Sequence, residues 1–156
     1  MKLYLLRHGH ALSVHEAGVA SDEDRPLSQT GQEDVRKMAR HLVSLGAAPE
    51  IILHSPLKRA IQTAVFAAPI LQPRQGLEAF APLSNELPAQ DLAIELKRRC
   101  EGLAEVVAIG HQPQMGELIA VLSRAVFNLR PGGAAILELN ADEPAAFVGG
   151  CNPEEL

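Results

Sequence analysis

Short apolar runs of strand length alternate with longer segments whose apolar residues recur every three or four positions, and few folds can accommodate that alternation. Residues 2–7 (KLYLLR) are a continuous apolar run ending at a turn signal, the pattern of a strand buried on both faces. After an irregular, partly acidic stretch, Thr30 and Glu33 fit a capping box, and Val35, Met38, Ala39 and Leu42 then follow helical spacing up to Gly46. Residues 50–54 (EIILH) read as a second strand. Ser55-Pro56 reads as the N-cap and first position of a helix whose inward stripe is expected to be Leu57, Ala60, Ile61, Ala64 and Val65. Residues 76–80 suggest a strand and 88–100 a helix with Leu92, Ala93, Leu96 and Cys100 inward. Residues 105–110 (EVVAIG) suggest another strand, and a helix from about Pro113 turns Met115, Leu118, Ile119 and Leu122 inward. Two antiparallel strands, 134–140 and 145–149, are expected after the turn Pro131-Gly132-Gly133. The prediction is an α/β three-layer sandwich, a mainly parallel central sheet flanked by helices, as a single domain over residues 1–156.

Composition narrows what such a domain can be. At 156 residues, 47% hydrophobic and 21% charged, the chain suits one globular core. Only 3% of residues are aromatic, so that core must be aliphatic. A net charge of -5 argues against nucleic acid as a partner while permitting a local positive pocket. No stretch approaches the ~18 apolar residues of a membrane span, and the opening residues lack the basic start and cleavage site of a signal peptide. A cytoplasmic location is therefore expected, with no membrane partner. Cys100 and Cys151 form neither a CxxC pair nor a zinc spacing and are expected as reduced thiols.

In an open α/β sheet, ligands sit outside the carboxyl ends of the strands. Three segments deliver polar groups to that edge: Arg7-His8 after the first strand, Ser55 and Arg59 after the second, and His111 after the fourth. Arg59 lies about 200° round its helix from Leu57, away from the expected inward stripe. Two guanidinium groups and two imidazoles on one edge read as an oxyanion site: arginine offers a planar fork of donors, imidazole a nucleophile, acid or donor near neutral pH. A metal held by His8, His10 and His111 is disfavoured, because Arg7 would repel a divalent cation and no carboxylate or thiolate stands at ligand spacing. Ser55 lacks the surroundings of a nucleophile elbow and is assigned to capping. His15 and His41 are expected to be exposed, and His54 to pack at its strand end. Arg25 either pairs with a neighbouring acid or borders the entrance. Gln112 either reaches a phosphoryl oxygen as a substrate-binding group or caps the helix that follows it.

Four segments occur in order: Arg7-His8-Gly9, Arg25-Pro26-Leu27-Ser28-x-x-Gly31, Ser55-Pro56-Leu57-x-Arg59-Ala60-x-Gln62-Thr63-Ala64 and Gly110-His111-x-Pro113. Together they resemble the histidine phosphatase superfamily and, within it, the SixA-type phosphohistidine phosphatase branch. The resemblance implies a phosphoglycerate mutase-like fold. It implies that His8 is transiently phosphorylated, that Arg7 and Arg59 bind the phosphoryl oxygens and that His111 contacts them. The arginines would already neutralise the phosphoryl charge, so no cofactor or metal is expected. His10 departs from the pattern, where an acidic residue or lysine is more familiar. No motif fixes the proton-donating carboxylate of the phosphomonoesterase branches, for which Glu78 and Glu86 lie in the right region. The segment 72–87 is too short for a separate lid. The expected partner is therefore a phosphohistidine-bearing protein. The alternatives are a mutase or phosphomonoesterase acting on a small phosphorylated metabolite, and a catalytically silent phosphate-binding module.

Overall fold

The computed structural model describes residues 1–141 and 144–156. In chain order the elements are β1 (Lys2–Arg7), a short α1 (Val14–Ala17), α2 (Gln29–Ser44), β2 (Ile51–His54), α3 (Lys58–Leu71), β3 (Leu77–Ala79), α4 (Ala89–Arg99), β4 (Glu105–Gly110), α5 (Gln114–Ser123), β5 (Ala134–Glu138) and β6 (Ala146–Cys151). The strands form one sheet in the order β3-β2-β4-β1-β5-β6. The first four of these are mutually parallel; β5 pairs antiparallel with β1, and β6 antiparallel with β5 at the sheet edge. The α/β sandwich expected from the alternation is thus the observed architecture.

Strand periodicity divides the core in two. Leu3 and Leu5 of β1 face a layer made with Leu92 and Leu96 of α4 and Met115, Leu118 and Ile119 of α5. Tyr4 and Leu6 face the opposite layer, made with Val35, Met38 and Leu42 of α2 and Ala60, Ala64 and Ala67 of α3. Both faces of the sheet are therefore covered, which is why β1, β2 and β4 carry near-continuous apolar runs.

Two helix starts differ from expectation. α2 is capped by Ser28, not by Thr30: Ser28 is extended and its hydroxyl accepts from the Gly31 N–H at 3.0 Å, so the helix opens earlier in the chain. α3 begins at Lys58 with Leu57 at the cap position, so Ser55-Pro56 lies wholly outside the helix. Its inward face differs as well. Ile61 and Val65 are 38% and 49% exposed, while Arg59, Ala60, Thr63, Ala64 and Ala67 are buried. The small alanine side chains let α3 lie close against α2 and the sheet, where Ile and Val would hold the helices apart.

The same closeness pins the loop after β1. A Cβ on Gly31 would collide with the His10 carbonyl oxygen, and one on Gly9 would stand 2.9 Å from the Gly31 carbonyl oxygen. Glycine at both positions is what lets the loop rest on the first turn of α2. Thr63 Oγ1 accepts from the Gly9 N–H at 3.1 Å and donates to the Arg59 carbonyl at 2.8 Å. Gln62 Oε1 accepts from the Leu27 N–H at 2.7 Å. The loop is thus tied to α3 as well as to α2. Gly31→Ala should destabilise the protein by about 1–3 kcal/mol, the usual cost of overpacking, as measured by urea unfolding. Unchanged stability would show that the two backbones can separate freely.

Candidate active site

The parallel strands β1, β2 and β4 end at one edge of the sheet, and a cleft of about 550 Å³ opens there. Arg7, His8, Arg59, His111 and Gln112 all line it, so the five residues read from the sequence as catalytic or substrate-binding are brought together. His10, Asp22, Glu23, Arg25 and Glu86 form further parts of its wall. Glu78 stands elsewhere, with both of its carboxylate oxygens accepting from Arg99 at 2.7 and 2.9 Å. That hydrogen bonding holds the Glu78 carboxyl ionised below its ordinary range, the wrong state for a proton donor.

His8 is nine-tenths buried at the end of β1. Its Nδ1 lies 2.7 Å from the Gly9 carbonyl oxygen, an acceptor only, so Nδ1 carries the proton and the Nε2 lone pair is left available. Burial pushes the His8 pKa down to about 3. The Gly9 hydrogen bond opposes that shift, while His111, Arg59 and Arg7 reinforce it by charge repulsion. His111, whose ring centre is 5.0 Å from that of His8, is pushed down to about 4, first by burial and then by Arg59. Both rings are therefore neutral at pH 7.

Arg7 is anchored through Nη1 to the Leu129 carbonyl at 2.9 Å. Arg59 donates through Nη1 to the Asp22 backbone oxygen at 2.9 Å and through Nη2 to the Asp22 carboxylate at 3.1 Å. Three buried side-chain nitrogens have no hydrogen-bond partner among the described residues: Arg7 Nε, Arg59 Nε and His111 Nδ1. All three belong to residues of this cleft, and a dry unpaired donor is costly enough that such a group calls for an explanation.

Asp22 is the residue that sequence reasoning missed. It is visible there only as one acid among several in the run Asp22-Glu23-Asp24, and nothing local distinguishes it. Its carboxylate bridges Arg59 and Arg25, whose Nη1 donates to it at 3.0 Å, so Arg25 takes both roles left open for it, pairing with an acid and bordering the cleft. Gln112 stands at the cleft wall with its Oε1 accepting from the Gly116 N–H at 2.7 Å, so its amide caps α5. Ser55 is fully buried and its hydroxyl lies 2.7 Å from His111 Nε2; it serves the site rather than a helix cap. His10 is exposed and its Nδ1 meets the Ser28 hydroxyl at 2.8 Å. His54 is buried at its strand end, and His15 is exposed, while His41 is half-buried in α2. Cys100 and Cys151 are both free thiols. No helix among the described residues is long and apolar enough to cross a membrane.

Comparison with known proteins agrees with this geometry. Residues 3–80 match the family model described as the histidine phosphatase superfamily (branch 1). The phosphohistidine phosphatase SixA of Escherichia coli K12 is 32% identical over 126 residues, covering 78% of this chain and 74% of that protein. The solved structure of the protein histidine phosphatase SixA complexed with tungstate superposes with a TM-score of 0.88 at 28% identity, over 98% of this chain and 97% of the other. A putative alpha-ribazole-5'-P phosphatase from Escherichia coli shares the fold, with a TM-score of 0.72 at 18% identity over 94% of each chain. The chain belongs to the histidine phosphatase superfamily, in its SixA branch, and is a phosphatase.

The depressed histidine pKa values have a consequence for stability. Unfolding returns His8 and His111 to ordinary values near 6.5, so between there and about 4 the unfolded chain binds more protons than the folded one. Stability contributed by keeping these rings neutral is complete above pH 6.5 and is lost as the pH falls through that window. His8→Asn, which cannot take up a proton on unfolding, should show a shallower decline between pH 6.5 and 4 in urea titrations. Equal slopes in the variant and the parent would mean that His8 is not held neutral by its surroundings.

Proposed function

We propose that the chain hydrolyses phosphohistidine on a protein, without a metal ion, through a phospho-His8 intermediate. One observation carries the reading. The three unpartnered buried donors, Arg7 Nε, Arg59 Nε and His111 Nδ1, belong to residues lining the same cleft as a histidine whose Nε2 lone pair is available. A phosphoryl group supplies what those donors lack, and its charge is met by two guanidinium groups rather than by a cation.

In the first displacement the His8 Nε2 lone pair attacks phosphorus and the P–N bond to the substrate imidazole breaks. That imidazole, protonated on its other ring nitrogen, departs as a neutral ring. In the second displacement water attacks the phosphorus of phospho-His8, the new P–N bond breaks with its electron pair returning to Nε2, and the water proton ends on inorganic phosphate. Arg7, Arg59 and His111 hold the phosphoryl oxygens in both steps, so positioning and fixed charge provide the acceleration. Gln112, whose Oε1 accepts from the Gly116 N–H while its Nε2 donates to the Leu129 carbonyl at 3.4 Å, shapes the wall beside them. The substrate preference is supported by the carboxylates. A departing alkoxide needs a placed proton donor, typically contributing about 10²–10⁴-fold, whereas a protonated imidazole does not. Glu78 is withdrawn by Arg99, and Glu86 stands exposed at the cleft wall.

Glu86 favours the alternative of a small phosphomonoester substrate, since of the two carboxylates considered as proton donors it is the one that lines the cleft. A turnover panel separates the two. Phosphohistidine protein and phosphoramidate should be hydrolysed faster than p-nitrophenyl phosphate or sugar phosphates, and Glu78→Gln and Glu86→Gln should leave P–N hydrolysis within about twofold of the parent. Phosphomonoesters as the better substrates, with Glu86 essential for them, would establish the alternative. Arg59→Ala should lower kcat by about 10²–10³, as loss of a preorganised donor does, and a near-normal rate would place Arg59 outside the reaction. Turnover should be unchanged by EDTA; activity lost to the chelator and restored by one divalent metal would contradict metal independence.

A further inference from the structure

Ser55 follows β2 and is completely buried, and its backbone N–H donates to the Ile109 carbonyl at 3.0 Å. Its hydroxyl has two partners among the described residues: the Leu57 N–H, which donates to it at 3.2 Å, and His111 Nε2 at 2.7 Å. A hydroxyl holds one proton and two lone pairs. Leu57 occupies one lone pair. If His111 Nε2 also donated, the hydroxyl proton would be buried with no acceptor, an arrangement folded proteins avoid. If the hydroxyl donates to Nε2, its proton is satisfied. The neutral His111 ring must then carry its own proton on Nδ1. That is the ring nitrogen without a protein partner, on a residue that lines the cleft.

We propose that Ser55 is a positioning residue that locks His111 as the Nδ1–H tautomer and so presents a donor, never a lone pair, to the phosphoryl oxygens. The role assigned to that donor rests on the phosphohistidine hydrolysis proposed above. Imidazole in water favours the Nε2–H tautomer, so the lock reverses the ordinary preference. A lone pair aimed at a phosphoryl oxygen would repel it. The charged and titratable groups that face His111 are Arg7, Arg59, His8 and Asp22. None of them contacts the ring through a hydrogen bond in this structure, so the choice of tautomer falls to Ser55.

The test is the protonation site itself. In protein labelled with ¹⁵N in its histidine rings, multiple-bond ¹H–¹⁵N spectra at pH 7 should show His111 protonated on Nδ1 in the parent and shifted towards Nε2 in Ser55→Ala. Ser55→Thr, which keeps the hydroxyl, should restore the parent tautomer. For phosphoramidate hydrolysis, Ser55→Ala should lower kcat/KM about tenfold, the effect of one lost hydrogen bond, and weaken orthovanadate binding to a similar degree. A His111 proton on Nε2 in the parent, or an unchanged tautomer in Ser55→Ala, overturns the proposal. If Ser55→Ala fails to fold, the parent spectrum alone decides between the two tautomers. Should the tautomer shift as expected while the parent hydrolyses no phosphoramidate, the lock stands and the phosphohistidine reading falls.

Discussion

Gathering two guanidinium groups, Arg59 buried and Arg7 half-buried, and two buried imidazoles at one sheet edge costs free energy, and much of the local architecture answers to that cost. Desolvation disfavours charge and like charges repel, so the histidines give up their protons while the arginines keep theirs. Asp22 offsets part of the positive charge from a position that is itself exposed, pairing with Arg59 and Arg25 together. A fully buried carboxylate there would have neutralised the pocket more completely and left less for a phosphoryl group to satisfy. The three side-chain nitrogens left without a protein partner among the described residues all belong to residues that line the cleft.

Rigid support makes that arrangement sustainable. The His8 loop is held by backbone contact with the start of α2, where Gly9 and Gly31 leave no space for a side chain, and by the Thr63 clamp from α3. Arg59 and Thr63 lie one turn apart on the same buried face, so the helix that delivers the guanidinium also fixes the loop carrying His8. The segments that contact one another here are those that carry the family resemblance. Their glycines, glutamine and threonine hold the chain in place, while their arginines and histidines face the cleft.

Much of this was legible in the chain because two periodicities are so clear. The apolar runs of β1 and β4 and the stripes Val35-Met38-Ala39-Leu42 and Met115-Leu118-Ile119-Leu122 predicted their elements and buried faces correctly. The parallel edge then followed, and with it the meeting of Arg7, His8, Arg59 and His111. What was illegible depended on contacts distant in sequence. The inward face of α3 could not be read because hydrophobicity ranks Ile61 and Val65 above alanine, whereas close packing against α2 selects alanine. Ser28 and Thr30 are both competent caps, and backbone geometry decides between them. Ser55 resembles a cap locally and is claimed instead by His111, 56 positions away. Asp22 becomes distinct from its acidic neighbours only once Arg59 is placed beside it.

Everything in this mechanism depends on Nε2 of His8 carrying the phosphoryl group during turnover. Rapid mixing with phosphoramidate, quenching into alkali where phosphohistidine survives, and peptide mass spectrometry test that step. One added phosphoryl group is expected on the peptide containing His8, appearing before steady state and absent from His8→Ala, which should fold and show no turnover. Phosphate found on another residue, or full activity in His8→Ala, would contradict it.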